Sequence, residues 1–254
     1  MMQNKGRKNK LTDKLIAIFL VLSAWKTLTL FFSPLVVPTI KSVALELVEI
    51  CAAGTLYRTV GITMVRLVIG LAIGVSLGML IGVIMGYFSH VKGILIPMLG
   101  ILQTIPPVSW VVLALVWFGF NGKPVVFIVV ISSIPIIGIS ICQGIEKIDR
   151  NLLQMAVVYH FSEIKKLRHV TLPSIAPFFN SAFQIALGTG WKIAVMGEVL
   201  TTSDGIGGMI KLARLNIEPE NIIAWSVVIV ILFYLSDFLL SMLFFRRDKR
   251  DAKC

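Results

Sequence analysis

Residues whose types and spacing could support catalysis are few in this chain of 254 residues. The cysteines and histidines lack the spacing of metal ligands; they are Cys51, Cys142, Cys254, His90, His160 and His169. No nucleophile stands beside a base, and the Gly-x-x-x-x-Gly-Lys-Ser/Thr pattern of an ATP-binding loop is missing. The sequence therefore predicts no catalytic residue, no metal or cofactor site, and no ATP hydrolysis by this chain.

Ionisable side chains inside apolar runs are the more informative residues. Lys192 and Glu198 fall in the run 174–200, where a charge costs a few kcal/mol (about 3) unless it meets a cavity or a partner. A stripe with 3–4 spacing comprises Gln184, Gly188, Trp191, Val195 and Glu198, and we take Gln184, Trp191, Lys192 and Glu198 as candidates for the solute path. Lys192 lies beside it, and we weigh a role in a solute path or in helix pairing against snorkelling to the interface. Snorkelling explains Arg66, near the boundary of its own run.

A helix break is predicted at Pro106-Pro107, because neither proline has an N–H to donate to the preceding turn. Unpaired backbone within a membrane is tolerated where protein covers it or a water-filled cavity meets it. Broken helices form the substrate path in many transporters, and a simple kink is the alternative. The path candidates at this break are Gln103, Pro106, Pro107, Ser109 and Trp110.

Small residues recur every fourth position in another run, at Gly70, Gly74, Gly78, Gly82 and Gly86. In lipid, helices associate by close packing, and such rows let two backbones approach. The row predicts a helix packed inside a bundle.

The elements that must position these residues are membrane helices. The chain is 57% hydrophobic and 15% charged, whereas a soluble domain carries about 25% charged residues. Runs long enough to cross a bilayer cover 15–32, 60–88, 93–119, 124–142, 174–200 and 222–245. The first is too long for a signal peptide and has no small-residue cleavage site after it. The predicted fold is an all-α polytopic membrane protein with about six spans.

Charge distribution predicts the orientation. The chain has 24 Lys and Arg against 13 Asp and Glu. If the N-terminus is cytoplasmic and the chain crosses the membrane six times, most of the basic residues fall in the cytoplasmic segments. Both termini are then cytoplasmic, and the basic runs beside apolar spans argue against nucleic-acid binding. We divide the chain into 1–55, a transmembrane domain 56–245 and a basic tail 246–254.

Three segments between spans are polar. Segment 33–59 predicts a short amphipathic helix, and Asp204-Gly205-Ile206-Gly207-Gly208 predicts a flexible turn. Segment 143–173 is the longest on the cytoplasmic side, with a short amphipathic helix predicted over 151–168. Leu172-Pro173 ends it, and Pro173 is suited to the first turn of the next span. Such a segment suits the headgroup region or a partner's groove.

Residues 154–173 resemble the EAA motif of binding-protein-dependent ABC importer permeases. In that motif Glu-Ala-Ala, three residues and Gly are followed by a hydrophobic residue and a closing Leu-Pro. This chain departs at three positions, with Gln154 for Glu, Met155 for Ala and His160 for Gly. His160 matters most, because a Cβ resists the left-handed turn that Gly allows.

The resemblance implies a coupling helix at about 151–164 that docks into a cytoplasmic ATPase subunit. Its contact residues would be Gln154, Met155, Ala156, Tyr159, His160, Phe161, Ser162 and Ile164. Residues 105–119 and 190–210 resemble the branch that handles nitrate, taurine and aliphatic sulfonates, and the likeness covers roughly 56–245.

That family implies the type I importer permease fold in a bacterial-type inner cell membrane. Two ATPase subunits, a second permease copy and an extracytoplasmic solute-binding protein would be partners, in addition to the lipid bilayer. The cargo would be a small anion such as a sulfonate, nitrate or bicarbonate. The alternatives are a vitamin-precursor permease of the same family and a self-contained secondary transporter or channel.

Overall fold

The computed structural model describes residues 3–251, and the predicted tail 246–254 therefore extends beyond the described residues. Throughout this range the regular elements are helices. They are α1 (Gln3–Phe31), α2 (Ile40–Ala52), α3 (Thr55–Tyr87), α4 (Ser89–Thr104), α5 (Pro107–Phe118), α6 (Lys123–Glu146), α7 (Arg150–Val158), α8 (Glu163–Lys166), α9 (Leu172–Thr201), α10 (Gly205–Asn216) and α11 (Pro219–Asp251). A π-helical turn, Leu167–Thr171, joins α8 to α9.

Four stretches of the described chain are long and apolar enough to cross a membrane: α3, α6, the continuous run Glu163–Thr201, and α11. The pair α4–α5 makes a fifth if it counts as one span. Helix α1, Gln3–Phe31, contains nearly all of the predicted first span 15–32, and its apolar part Phe19–Phe31 lies within that span. Amphipathic α2 matches the short helix expected within 33–59.

Parallel packing of α3 and α6 organises the bundle. A Cβ at Gly70 would lie 2.7 Å from Val129, and one at Gly78 would lie 2.9 Å from Ile137. Each of the five row glycines meets a residue of α6, in the order Val129, Ser133, Ile137, Ile141 and Ile145. Both helices thus contribute rows with a period of four, and only glycine lets their axes approach this closely.

The break predicted at the two prolines is present. Helix α4 ends at Thr104, α5 begins at Pro107, and the two helices are bent by 91°. Lys92 of α4 pairs with Glu146 at the end of α6, whereas Gly122 at the start of α6 lies against Arg66 of α3. The α4–α5 pair therefore connects opposite ends of the bundle, as one broken span does.

Helix α9 runs antiparallel to α6. Gly197 packs on Val125 near the start of α6, and Phe178 packs on Gly144 near its end. We call the two ends of the bundle the Glu198 end and the Glu146 end. Helix α9 begins at Leu172 with Pro173 in its first turn, as expected from the sequence.

Candidate functional site

Glu198 is the most deeply placed carboxylate of the described chain and has no exposed surface. Its Oε1 accepts a hydrogen bond from Nη1 of Arg66 at 2.8 Å. Its Oε2 accepts from Oγ1 of Thr63 at 2.8 Å and from the backbone N–H of Gly207 at 3.0 Å. Three elements, α3, α9 and α10, therefore meet at one carboxylate.

Arg66 completes this cluster. Its Nη2 donates to Oδ1 of Asp204 at 2.8 Å, and its side chain is 13% exposed. Snorkelling of Arg66 is therefore wrong, because the guanidinium is held between two carboxylates inside the protein. We call Thr63, Arg66, Glu198, Asp204 and the N–H groups of Ile206 and Gly207 the outer network, because the orientation predicted from the charges would put them at the external end.

Asp204 is the charged member of the outer network that lies outside the spans. Partial burial would raise the pKa of its carboxyl, but the hydrogen bond and charge of Arg66 outweigh burial, so the pKa lies below its ordinary value. Asp204 is 54% exposed and stays ionised near neutral pH.

The first turn of α10 is capped by other helices. The Asp204 side chain makes no capping hydrogen bond, whereas the N–H of Ile206 donates to Oγ1 of Thr63 at 2.9 Å and that of Gly207 donates to Glu198. These N–H groups would otherwise lack partners at a helix start, where a negative charge is also favoured. The flexible turn predicted over 204–208 is therefore wrong: its glycines form a buried helix start.

The glycines of this turn are required by close approach. A Cβ at Gly205 or Gly207 would collide with the Glu198 side chain, and Gly205 has a φ of 74°. The DGIGG sequence thus lets a helix start rest directly on a buried carboxylate.

The predicted coupling helix is shorter than 151–164 and is followed by a turn. Helix α7 covers Arg150–Val158, with its start capped by Asp149 through the N–H of Asn151 at 2.8 Å. The N–H of Phe161 bonds the carbonyl of Ala156 at 2.9 Å, and that of His160 bonds Val157 at 3.0 Å. This is a Schellman ending, which stops the helix predicted over 151–168.

His160 occupies the left-handed position of that ending, with a φ of 49°. His160 therefore adopts the left-handed conformation that the family's glycine adopts easily, although histidine has a Cβ. Ser162 then accepts a hydrogen bond from the N–H of Lys165 at 3.4 Å and starts α8.

Most of the predicted coupling residues are exposed. Ala156 is buried and Phe161 is half-buried, which fixes the segment to the bundle. Its exposed members are Gln154, Met155, Tyr159, His160, Ser162 and Ile164. Ile164, at 80%, and Tyr159, at 70%, are among the most exposed apolar side chains of the molecule. We call residues 150–166 the coupling segment, after the role that the family resemblance predicts for it.

The path candidates are distributed over different surfaces. Gln103, Pro106, Pro107 and Ser109 are exposed around the broken span, and the indole N–H of half-buried Trp110 is buried without a hydrogen-bond partner. On α9, Lys192 is exposed and forms no ion pair within the described residues. The remaining stripe members turn inward.

Trp191 and Glu198 are buried, Gln184 is half-buried, and Trp191 donates to Oγ of Ser236 at 3.2 Å.

The sequence analysis did not predict Thr63, Arg66, Asp204 and Gly207 as partners of Glu198. A detectable signal was the presence of two opposite charges, Arg66 and Glu198, at the same predicted depth. Within the described residues, no group of three His, Cys, Asp or Glu could hold a metal ion.

Comparison with known proteins gives the family. Residues 74–250 match the model of the binding-protein-dependent transport system inner membrane component. A candidate aliphatic sulfonates transport permease, SsuC of Bacillus subtilis, is 26% identical over 205 residues, which are 81% of this chain and 74% of that protein. The taurine transport system permease protein TauC of Escherichia coli is 24% identical, over 83% of this chain and 79% of its own.

The fold also has a solved counterpart. A chain of the methionine ABC transporter MetNI, in inward-facing conformations, superposes with a TM-score of 0.58 at 19% identity. The match covers 73% of this chain and 91% of that one. It confirms the expected importer permease fold, and permeases of this kind work with an ATPase and a substrate-binding protein. The chain belongs to the family of binding-protein-dependent transport system inner membrane components, as a multi-pass permease subunit of an ABC importer.

Proposed function

We propose that two copies of this chain form the path for a small anion, with two ATPase subunits bound at the Glu146 end. The observation that carries the proposal is the coupling segment, which presents exposed apolar side chains on a capped, anchored scaffold. An apolar helix face presented outward is the form that helix-in-groove recognition takes.

Orientation follows from charge. The coupling segment contains Arg150, Lys165 and Lys166, and Lys147 precedes it. Basic residues near the ends of spans remain in the cytoplasm. We therefore place the Glu146 end and both termini in the cytoplasm, and the outer network on the side from which a solute-binding protein delivers its cargo.

Lys192 supports an anionic cargo. It lies nine residues before the end of α9, about 14 Å along the helix axis, on a face that the chain leaves exposed. A cation at that depth is unfavourable against lipid, so it faces a second copy or a water-filled path. The relatives are named for aliphatic sulfonates and taurine, which share an anionic sulfonate group, and we place this chain's cargo among small solutes with such a group.

Docking is tested by copurification. Ile164→Glu introduces a charge into the most exposed apolar position of the coupling segment, and we expect the amount of copurified ATPase to fall about tenfold. Leu215→Glu, on exposed α10 at the opposite end, is the matched control and should leave copurification unchanged. Uptake by the chain reconstituted alone would instead indicate a secondary transporter or channel.

Anion transport is tested with Lys192→Met in proteoliposomes containing ATP, the ATPase and the solute-binding protein. Uptake of the anion bound by the solute-binding protein should fall while ATPase copurification stays at the wild-type level. Unchanged uptake would remove Lys192 from the path.

A further inference from the structure

The coupling segment and the outer network are joined by one continuous helical run. Helix α8, the π-helical turn and α9 follow one another without a break from Glu163 to Thr201, a stretch of 39 residues. The run begins beside the exposed Ile164 and ends with Glu198 in its last turn. The backbone of this run thus connects the coupling segment directly to Glu198.

At its far end, this run is bonded to α10 through side chains that are removed from water. Glu198 bonds the N–H of Gly207, and Arg66 bridges Glu198 to Asp204, which directly precedes α10. Such contacts are directional, and a buried carboxylate with three donors has no alternative partners close by. The outer network is thus a direct polar connection between α9 and the start of α10.

The opposite face of α10 is open. Leu212 and Leu215 are exposed, as is Ile217 just after the helix, whereas the buried residues face the bundle: Gly205, Ile206, Gly207, Gly208 and Ala213. Helix α10 thus has one side fixed to the outer network and one side available at the end where cargo arrives.

We propose that Arg66 and Glu198 are positioning residues that link α10 to α9, so that the binding-protein side and the ATPase side of the transporter respond to each other. This inference rests on the proposed function. Coupling between two sites is measurable as the change that binding at one site causes at the other.

A purely structural pair would behave differently from a coupling pair. Removing one partner of a buried ion pair leaves an uncompensated charge, whereas replacing both partners restores much of the stability. The double variant Arg66→Met/Glu198→Gln is therefore expected to assemble with the ATPase as the wild type does, while the single variant Arg66→Met assembles poorly. Stability and coupling are thereby separated.

The experiment reconstitutes the full transporter in proteoliposomes and measures ATP hydrolysis with and without saturating solute-binding protein, at equal amounts of assembled complex. For the double variant we expect the stimulation by binding protein to fall about tenfold, which lies within the usual range of coupling between sites. Basal hydrolysis should change little, because the ATPase contact lies at the other end.

The matched control is Lys92→Met/Glu146→Gln, which removes an ion pair of the Glu146 end that lies outside the continuous run. Its stimulation should equal that of the wild type. Wild-type stimulation in the Arg66→Met/Glu198→Gln variant would overturn the coupling role and leave the network as a structural staple. Lack of stimulation in the wild type itself would instead contradict the proposed function.

Discussion

The two ends of the bundle each have an ion pair between helices, but the surroundings of the pairs differ. Arg66 and Glu198 are 13% and 0% exposed, whereas Lys92 and Glu146 are 33% and 41% exposed. The buried pair is tied into a network with Thr63, Asp204 and α10, while the exposed pair links only α4 and α6. Water can replace the exposed pair, but nothing nearby can replace the buried one.

The two ends also use the backbone differently. At the Glu198 end, Gly205 and Gly207 let α10 rest on a carboxylate, and the helix start is satisfied from within the chain. At the Glu146 end, His160 adopts a left-handed conformation and the apolar face of α7 stays exposed. The polar groups at one end are satisfied within the chain, whereas the other end presents an exposed apolar surface, on which we propose that the ATPase docks.

The largest expected difference between the ends comes from removing the cation of each pair. Arg66→Met leaves Glu198 as an unpaired buried charge, and we expect a loss of about 3–5 kcal/mol in the free energy of unfolding. Lys92→Met removes a contact that water replaces, and the thermal midpoint should scarcely change. Thermal unfolding of both variants in detergent measures the difference. Equal midpoints for the two variants would remove the contrast between the ends.

A smaller loss is expected from filling the space at the helix start. Gly207→Ala places a Cβ against the Glu198 side chain and the backbone of α9, and overpacking of this kind costs about 1–3 kcal/mol. Gly93→Ala in α4 is the matched control, because open space surrounds that position. There the gain in helix propensity should stabilise slightly. A tolerated Gly207→Ala would show that α10 does not need its close contact with Glu198.

The sequence predicts these two ends unequally well. Long apolar runs located α3, α6, α9 and α11 to within a few residues, because burial in lipid requires continuous hydrophobicity. The break at Pro106-Pro107 was equally predictable, because the missing N–H of proline is a property of the residue itself. A short helix between two spans was likewise predicted at the place where α7 lies, between α6 and α9.

The outer network, in contrast, could not be predicted from the sequence. Thr63 and Glu198 are separated by 135 positions in the sequence, and their contact depends on how α3 and α9 pack. The glycine-rich start of α10 indicated a loop, because its capping groups come from other helices. Local rules also placed the end of α7 too late, since Tyr159 and Phe161 continue the apolar pattern while His160 turns the backbone.

A stabilising change is expected at the Glu146 end. His160→Gly removes the steric cost of a left-handed residue, about 1 kcal/mol, and part of that gain is offset by the greater freedom of glycine in the unfolded chain. Hydrogen exchange of the amides from Met155 to Phe161 should therefore slow. Gln154→Gly, in the exposed middle of α7, is the control and should speed the same exchange. Faster exchange in His160→Gly would show that the imidazole stabilises the segment by more than the steric cost of its left-handed backbone.

The smallest expected effect is a pH dependence at the exposed edge of the outer network. The pKa of Asp204 is lower in the folded chain than its ordinary value, because Arg66 outweighs the partial burial of the carboxyl. A carboxyl with a depressed folded pKa stabilises the fold fully above its unfolded pKa of about 3.9 and loses that contribution as the pH falls through the folded value.

The thermal midpoint of Asp204→Asn should therefore lie below that of the wild type at pH 7. The gap between the two midpoints should narrow once the pH falls below about 4. Because Asp204 is 54% exposed, solvent screening keeps this gap small, well under that of Arg66→Met. A gap that stays constant with pH would assign the contribution of Asp204 to its shape and backbone contacts rather than to its charge.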